Sequence, residues 1–228
     1  MRRNVIAVLV LTAVGFGSPP MARAQSFQQG AGWNGGVLLS TSLNDGASGA
    51  DLVDLKPDAT WILGVHYDYW LGSGNVGIRV RGNFSKPTLP WVQDDRQIRV
   101  YTGDLNLMLR PVRPGPDKSV LPFVSGGVGI INWGLGDGPA TTYEPAGVIY
   151  DGDQKWDLVA SAGLGFDIVT PWSWGEGPLV VRLEAQDHIQ FSSPFDPINP
   201  EDGDFSLIHN AAVVLGIYTG IGVPGGGM

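Results

Sequence analysis

Two stretches of the sequence alternate between apolar and polar residues. Residues 76–84 read Val-Gly-Ile-Arg-Val-Arg-Gly-Asn-Phe, so the apolar side chains and the two arginines fall on opposite sets of alternate positions. Residues 178–191 repeat the pattern, with Arg182 and Glu184 on the polar positions. Because successive side chains of a β-strand point to opposite faces, each stretch predicts a strand with one apolar face and one ionic face.

Eight segments of the chain read as strands bounded by clusters of Gly, Pro, Asn, Asp or Ser, which mark turns. They cover residues 33–42, 60–70, 76–85, 97–109, 121–133, 156–169, 178–191 and 209–220. In three of them, the first, the fifth and the last, Gly and Ala dominate and leave the two faces ambiguous. The others include the clearest period-two patterns.

The polar faces consist of Gly, Ser, Arg, Asp, Asn and Gln, with almost no Lys. A soluble β-sandwich would instead turn a solvated face rich in Lys, Glu and Thr to water. Small residues between charges suit a narrow, packed interior, and an eight-stranded barrel has an interior filled by its own side chains. The apolar faces then point outward to lipid. We predict an all-β chain that forms an eight-stranded antiparallel up-and-down transmembrane β-barrel.

Aromatic residues lie near the predicted strand ends, where amphipathic rings favour the headgroup level of a membrane. The predicted aromatic girdle consists of Trp61, Tyr67, Tyr69, Trp133, Trp156, Trp172 and Trp174.

The first 24 residues read as a cleaved signal peptide. Two arginines are followed by an apolar run of ten residues, and an Ala-Arg-Ala cleavage motif stands at 22–24. Ten apolar residues are too few for a membrane-spanning helix, which argues against an uncleaved anchor. The expected mature chain, 25–228, is a single barrel domain with a short Gly-rich tail at 221–228. Cleavage removes three of the 14 basic residues and leaves all 22 acidic ones.

Long and short connections alternate along the chain, as in barrels with long external loops and short periplasmic turns. The long connections are 43–59, 86–96, 134–155 and 192–208, and the shorter ones are 71–75, 110–120 and 170–177. Both termini are therefore expected in the periplasm. The four long connections hold 14 of the 22 acidic residues, which predicts an anionic exterior.

Residues 101–111 (YTGDLNLMLRP) and 121–129 (LPFVSGGVG) resemble the middle of the small OmpA-like outer-membrane β-barrel family, and residues 210–218 resemble its last strand. The resemblance implies an eight-stranded barrel in the outer membrane, restricted to the barrel domain and without the peptidoglycan-binding domain. Because that family is functionally mixed, the resemblance implies location and fold rather than an activity.

Eight charged residues fall on the inward faces, and buried charges are tolerated only when they are paired. We therefore predict a lumen ion-pair network, in which Arg79 or Arg81 reaches across the barrel axis to Glu184. Such a network can close the lumen as a plug, or it can gate ion passage; eight strands favour the plug. The predicted members are Asp68, Arg79, Arg81, Asp104, Asp157, Asp167, Arg182 and Glu184.

Candidate chemistry is sparse. His188, Asp187 and Ser192 lie at the external end of the seventh predicted strand, where a barrel enzyme would place its rim site. Residues four apart in a strand are about 13 Å apart, which argues against a direct His188–Ser192 pair. The acidic clusters in two long connections offer weak calcium candidates, although neither matches a twelve-residue calcium loop. These candidates are Asp151, Asp153, Glu201, Asp202 and Asp204.

The sequence predicts no cofactor. The absence of cysteine excludes disulfides and thiolate sites, and the acidic charge excludes nucleic acid as a partner. The expected function is structural, or an interaction at the cell surface. The expected partners are outer-membrane lipids, the barrel insertion machinery and periplasmic chaperones, with a further extracellular ligand of the acidic loops left open. The alternatives are a lipid- or peptide-modifying barrel enzyme and a soluble secreted lipocalin-like barrel.

Overall fold

A computed structural model of the chain describes residues 29–40, 58–72, 74–89, 96–114, 118–134, 155–174, 177–191 and 207–221. Among these residues no helix is long and apolar enough to cross a membrane. The predicted signal peptide, 1–24, and residues 222–228 of the predicted tail lie outside the described residues.

The described residues form ten β-strands, and eight of them close into one antiparallel barrel. The strands are β1 (Gln29–Ser40), β2 (Thr60–Leu71), β3 (Val76–Ser85), β4 (Thr88–Leu89), β5 (Arg96–Gln97), β6 (Arg99–Leu109), β7 (Val120–Gly134), β8 (Lys155–Trp174), β9 (Gly177–Gln190) and β10 (Ile208–Ile221). Around the barrel their order is β1-β10-β9-β8-β7-β6-β3-β2, and β1 closes the ring by pairing with both β10 and β2. The predicted eight-stranded antiparallel barrel is confirmed.

Strand β1 begins at Gln29, earlier than the predicted start at residue 33. Residues 29–32 are rich in glycine and read as a loop in the sequence, yet they pair with β10 as far as its last residue, Ile221. Glycine permits this close pairing, because a Cβ at Gly32 would lie 2.2 Å from the Cβ of Tyr218. The barrel therefore closes through a segment that composition alone assigns to a loop.

The hairpin of β8 and β9 is longer than predicted, since β8 continues to Trp174 and β9 starts at Gly177. The predicted connection 170–177 is therefore mostly strand. An irregularity between Val169 and Ser173 shifts the register. The Thr170 hydroxyl donates to the Leu179 carbonyl across this irregularity (2.7 Å), which holds the two strands together there.

The predicted connection 86–96 contains the short strands β4 and β5, which form a two-stranded ribbon. The ribbon continues the β3–β6 pairing without a change of register. Phe84 pairs with Tyr101, and beyond the end of β3 the Ile98 amide donates to the Pro87 carbonyl (3.0 Å). The β3–β6 hairpin thus extends past the barrel wall.

The connections sort to the two ends of the barrel as the sequence predicted. The strand ends that the β1–β2, β3–β6, β7–β8 and β9–β10 connections join lie at one end of the barrel, which we call the loop end. The short β2–β3, β6–β7 and β8–β9 connections lie at the other, the turn end, together with Gln29 and Ile221. Gly72 and Gly74 have positive φ angles (49° and 79°) in the β2–β3 turn, a conformation that favours glycine.

Side chains alternate between an apolar exterior and a polar interior. Along β2 the outward residues Leu63, Val65 and Tyr67 are exposed. His66 and Asp68, on the alternate positions, are buried. The other barrel strands expose large apolar side chains in the same way. An exposed apolar wall around buried charges reverses the arrangement of a water-soluble barrel and is that of a transmembrane barrel.

Val80 offers a test of the lipid-facing wall, because it lies at the centre of β3, points outward and is 56% exposed. Val80→Arg should lower the free energy of unfolding in lipid by about 2–4 kcal/mol, because it places a charge at mid-membrane depth. Val76→Arg is the matched control on the same face near the turn end, with an expected cost of about 0–1 kcal/mol. Denaturant unfolding in lipid vesicles measures both, and equal costs would contradict the assignment of this face to lipid.

Candidate functional site

The lumen is organised in three layers from the turn end to the loop end. Buried apolar side chains close the turn end, namely Trp70, Met108, Phe123, Val180 and Tyr218. Other buried apolar side chains lie toward the loop end, including Leu38, Ile62, Val100, Ile131 and Trp133. Between the two layers lie buried charges. The interior is therefore filled by side chains along its length.

In the half of the charged layer near the turn end, two arginines share one aspartate. Arg182 Nε lies 2.6 Å from Asp167 Oδ1, and the Arg110 guanidinium donates to the other oxygen of the same carboxylate. Arg182 Nη2 also lies 2.8 Å from Asp68 Oδ2, which links Asp167 to Asp68. Arg110 stacks 3.5 Å above the Trp70 ring, so its charge also contacts the apolar layer.

At the centre of the lumen, a glutamate joins two arginines of the opposite strand. Arg79 Nε lies 2.8 Å from Asp68 Oδ1, and its Nη1 lies 2.9 Å from Glu184 Oε2. Arg81 Nη1 lies 3.2 Å from Glu184 Oε1, and its Nε lies 3.0 Å from Asp104 Oδ2. Strands β3 and β9 are opposite each other in the ring, so these contacts cross the barrel axis.

Toward the loop end, the contacts pass from charges to neutral polar groups. His188 Nε2 lies 2.9 Å from Asp104 Oδ2. The Asn106 amide donates to the other oxygen of Asp104, and the Ser161 hydroxyl donates to Asn106 Oδ1 (2.5 Å). The result is one continuous sequence of contacts through the charged layer. We call it the charge chain; its members are Arg110, Asp167, Arg182, Asp68, Arg79, Glu184, Arg81, Asp104 and His188.

The charge chain alternates in sign and is neutral in sum when its histidine is neutral, because four arginines alternate with four carboxylates. Each of its side chains is at most 3% exposed. Aromatic rings cover three of the four arginines. Trp70 lies against Arg110, and Phe123 lies below both Arg79 and Arg182 (5.1 and 4.8 Å from its ring centroid). Such an arrangement satisfies buried charges by pairing rather than by hydration.

Seven of the eight predicted lumen charges belong to the charge chain. The exception is Asp157, which lies closer to the loop end and accepts a hydrogen bond from Gln190 Nε2 (2.7 Å). Sequence reasoning missed Arg110, which it assigned to the second short turn. The alternation of β6 contains the missing signal, since Arg110 follows Asp104, Asn106 and Met108 on the inward positions.

The predicted aromatic girdle needs one correction, at Trp133. This residue is inside the barrel, 1% exposed, and its Nε1 donates to Gln190 Oε1 (3.0 Å). It shares the inward face of β7 with Phe123 and Ile131, so strand parity rather than distance from the strand end decides its side. The other predicted members are exposed, namely Trp61, Tyr67, Tyr69, Trp156, Trp172 and Trp174.

The residues proposed for a rim enzyme do not converge. His188 points into the lumen and contacts Asp104, while Asp187 points outward, where its Oδ2 lies 2.6 Å from His209 Nδ1. Neighbouring strand residues face opposite sides, which separates the two. Ser192, the third residue of the proposed site, lies outside the described residues.

The calcium candidates Asp151, Asp153, Glu201, Asp202 and Asp204 also lie outside the described residues. Within the part of the chain that the structure describes, no group of three or more His, Asp or Glu side chains is arranged to hold a metal ion.

The closed ring, the apolar wall and the charge chain together define a small eight-stranded membrane β-barrel with a side-chain-filled lumen. This is the fold that the resemblance to the OmpA-like barrels implies. No protein-family model matches the chain, and no curated protein matches it.

Among solved structures, the chain is similar to the N-terminal β-barrel domain of Pseudomonas aeruginosa OprF, with 11% identity, a TM-score of 0.43 and coverage of 84% of this chain and 98% of that one. It is also similar to Ail, the attachment invasion locus protein of Yersinia pestis, in complex with the heparin analogue sucrose octasulfate (10% identity, TM-score 0.42, coverage 84% and 99%). A second Ail structure has 12% identity, a TM-score of 0.37 and the same coverage. The fold assignment rests on the strand pairing of this chain.

The contact between Arg79 and Glu184 offers a test of the charge chain. Glu184→Ala and Arg79→Met each leave the charge chain with one uncompensated buried charge, although the neighbouring residues keep one partner, and each should cost about 3–5 kcal/mol of unfolding free energy. The double variant should cost clearly less than the sum, since it removes both partners. Denaturant unfolding in detergent or lipid measures all three.

A matched control combines Glu184→Ala with Val80→Ala, because Val80 follows Arg79 in β3 but points to the opposite face. The unfolding free-energy costs of these two substitutions should add. If the costs of Arg79→Met and Glu184→Ala added as well, the two side chains would not interact across the lumen.

Proposed function

We propose that this protein is an outer-membrane β-barrel that spans the membrane with a closed lumen, and that its role is structural or an interaction at the cell surface. The observation that carries the proposal is the charge chain between two apolar layers. Paired charges and packed rings fill the space that a water-filled pore would need. The structural or interaction role is therefore proposed for the outer wall and the loop end of the barrel rather than for its lumen.

Two features favour this proposal over the alternatives. A soluble lipocalin-like barrel would turn apolar side chains inward around a ligand, whereas this barrel turns them outward and holds charges inside. A rim enzyme would need His188 at the surface, and that side chain is buried against Asp104. The partners proposed from the sequence remain outer-membrane lipids, the insertion machinery, periplasmic chaperones and an extracellular ligand of the acidic loops.

Because the chain contains no cysteine, single introduced cysteines can report its location and orientation without background. Asp58→Cys lies at the loop end and Ser119→Cys at the turn end, and both positions are exposed. The protein should be recovered in the outer-membrane fraction. A membrane-impermeant thiol reagent should label Asp58→Cys in intact cells, but Ser119→Cys only after lysis.

Recovery in the soluble fraction would contradict the membrane assignment. Labelling of Ser119→Cys in intact cells, with Asp58→Cys protected, would invert the proposed orientation. The wild-type chain, which contains no cysteine, is the unlabelled control for both cysteine variants.

A further inference from the structure

On the outward face of β9 and β10, Asp187 and His209 form a polar contact that we call the wall pair. Asp187 Oδ2 lies 2.6 Å from His209 Nδ1, and the two side chains are 28% and 43% exposed. Asp187 points outward because it stands between Gln186 and His188, which both face the lumen. The wall pair therefore lies on the face that the barrel turns to lipid.

The wall pair lies within the apolar band of the wall rather than at its edge. Toward the loop end, exposed Phe191 follows β9 and exposed Leu207 precedes β10. Toward the turn end, the outward residues Leu183 and Val213 are exposed as well. Between the ends of the barrel strands that the structure describes, no other outward side chain is Asp, Glu, Lys, Arg or His. Ionisable groups at membrane depth are costly and usually mark a functional contact.

Lipid alone leaves the carboxylate of the wall pair incompletely satisfied. Asp187 Oδ2 contacts His209, whereas Oδ1 is buried and has no hydrogen-bond partner among the described residues. Hydrocarbon offers this carboxylate neither hydrogen bonds nor a high dielectric constant. A polar group brought close by another protein surface would stabilise it, because charges attract more strongly at low dielectric constant.

The wall around the wall pair consists of small residues. Ala162 of β8 and Ala211 of β10 are the register partners of Asp187 on its two sides, and Gly126 of β7 is the partner of Ala162. Ala185 is the next outward residue of β9 toward the turn end. Small residues let two membrane-embedded surfaces approach closely, and polar groups then hold them together. A second wall can therefore come near the wall pair on this side of the barrel.

The wall pair is complementary to a second copy of itself. Two copies inserted in one membrane share their orientation, so a closed dimer has its two-fold axis along the membrane normal. An axis between β9 and β10 places β9 of each copy opposite β10 of the other. Each wall pair is a dipole with its carboxylate on β9 and its imidazole on β10, so the two dipoles run in opposite lateral directions and attract. This attraction leaves the existing contacts of His209 intact.

We propose that two copies of this chain associate in the membrane through the β8–β9–β10 wall, with the two wall pairs facing each other at the axis. The inference rests on the proposed membrane location. It explains why an acid and a histidine stand among apolar residues on this wall, and it leaves the opposite wall, β2, β3 and β6, to lipid.

The first test measures energy transfer between donor- and acceptor-labelled copies of the full chain, labelled at Ser119→Cys, in phosphatidylcholine vesicles at several protein-to-lipid ratios. Asp187→Leu with His209→Leu should lower the association constant about tenfold, the usual size of a polar contact between membrane-embedded surfaces. The matched control, Gln29→Leu with Tyr67→Leu, removes an outward hydrogen bond between β1 and β2 (3.0 Å) and should leave the constant unchanged.

A second measurement locates the contact by cross-linking in the same vesicles. Ala211→Cys lies beside the proposed axis and should form a disulfide-linked dimer on mild oxidation. Leu105→Cys is the control, because β6 lies opposite β10 in the ring, and it should stay monomeric. Ala162→Leu with Ala211→Leu should abolish energy transfer, because the larger side chains keep the two walls apart.

Monomers at every protein-to-lipid ratio, equal losses in the wall-pair variant and its control, or equal cross-linking of the two cysteines would each overturn the proposal. So would a wall-pair variant that lowers the unfolding free energy in excess lipid but leaves association unchanged, since the wall pair would then only join β9 to β10. Insertion is scored first by the heat-modifiable shift in gel mobility. Failure of the wild-type chain to insert would overturn the membrane proposal itself, whereas insertion without association overturns only the dimer.

Discussion

The barrel depends on the alternating charge chain that runs through its lumen. Removing a charge from water costs several kcal/mol, and a partner in good geometry offsets that cost. Here Asp68, Asp104, Asp167 and Glu184 each contact two basic groups. Loss of one member therefore leaves its neighbours on both sides with a single partner and the charge chain with one uncompensated charge. Contacts across the axis tie opposite strands to each other.

The rest of the lumen supports the charge chain. Apolar layers at its two ends keep water away from the ion pairs, which strengthens their attraction. Inward glycines make room for the long side chains. A Cβ at Gly163 would lie 2.8 Å from Glu184 Oε1, and one at Gly77 would lie 2.7 Å from the Trp70 ring. Glycine at these two inward positions thus leaves the space that Glu184 and Trp70 occupy in the narrow barrel.

Strand parity made the largest part of the structure predictable from the sequence. It assigned the faces of β3 and β9, and with them the inward positions of Arg79, Arg81, Arg182 and Glu184. The Gly- and Ala-rich segments gave no such signal, so the early start of β1 went unpredicted. The same lack of signal in β7 led to the prediction that Trp133 belongs to the outward aromatic girdle, whereas it faces the lumen.

Contacts between strands were less predictable, because they depend on register and on side-chain length. The sequence indicated that Arg79 or Arg81 meets Glu184, and the structure shows that both do. Nothing in the sequence indicated that Arg182 would join Asp167 to Asp68. The inward position of Arg110 follows from the alternation of β6, but the predicted strand ended at residue 109. The continuation of the β3–β6 register into the ribbon also needed the structure.

The closed lumen is the central claim, and ion conductance through the purified barrel in a planar lipid bilayer tests it most directly. Paired charges and two apolar layers fill the lumen of the described barrel, so the bilayer current should stay at its baseline after insertion, while a large porin added in parallel gives stepwise openings. Sustained single-channel steps from the wild-type barrel would show an open path through the lumen and would contradict this account.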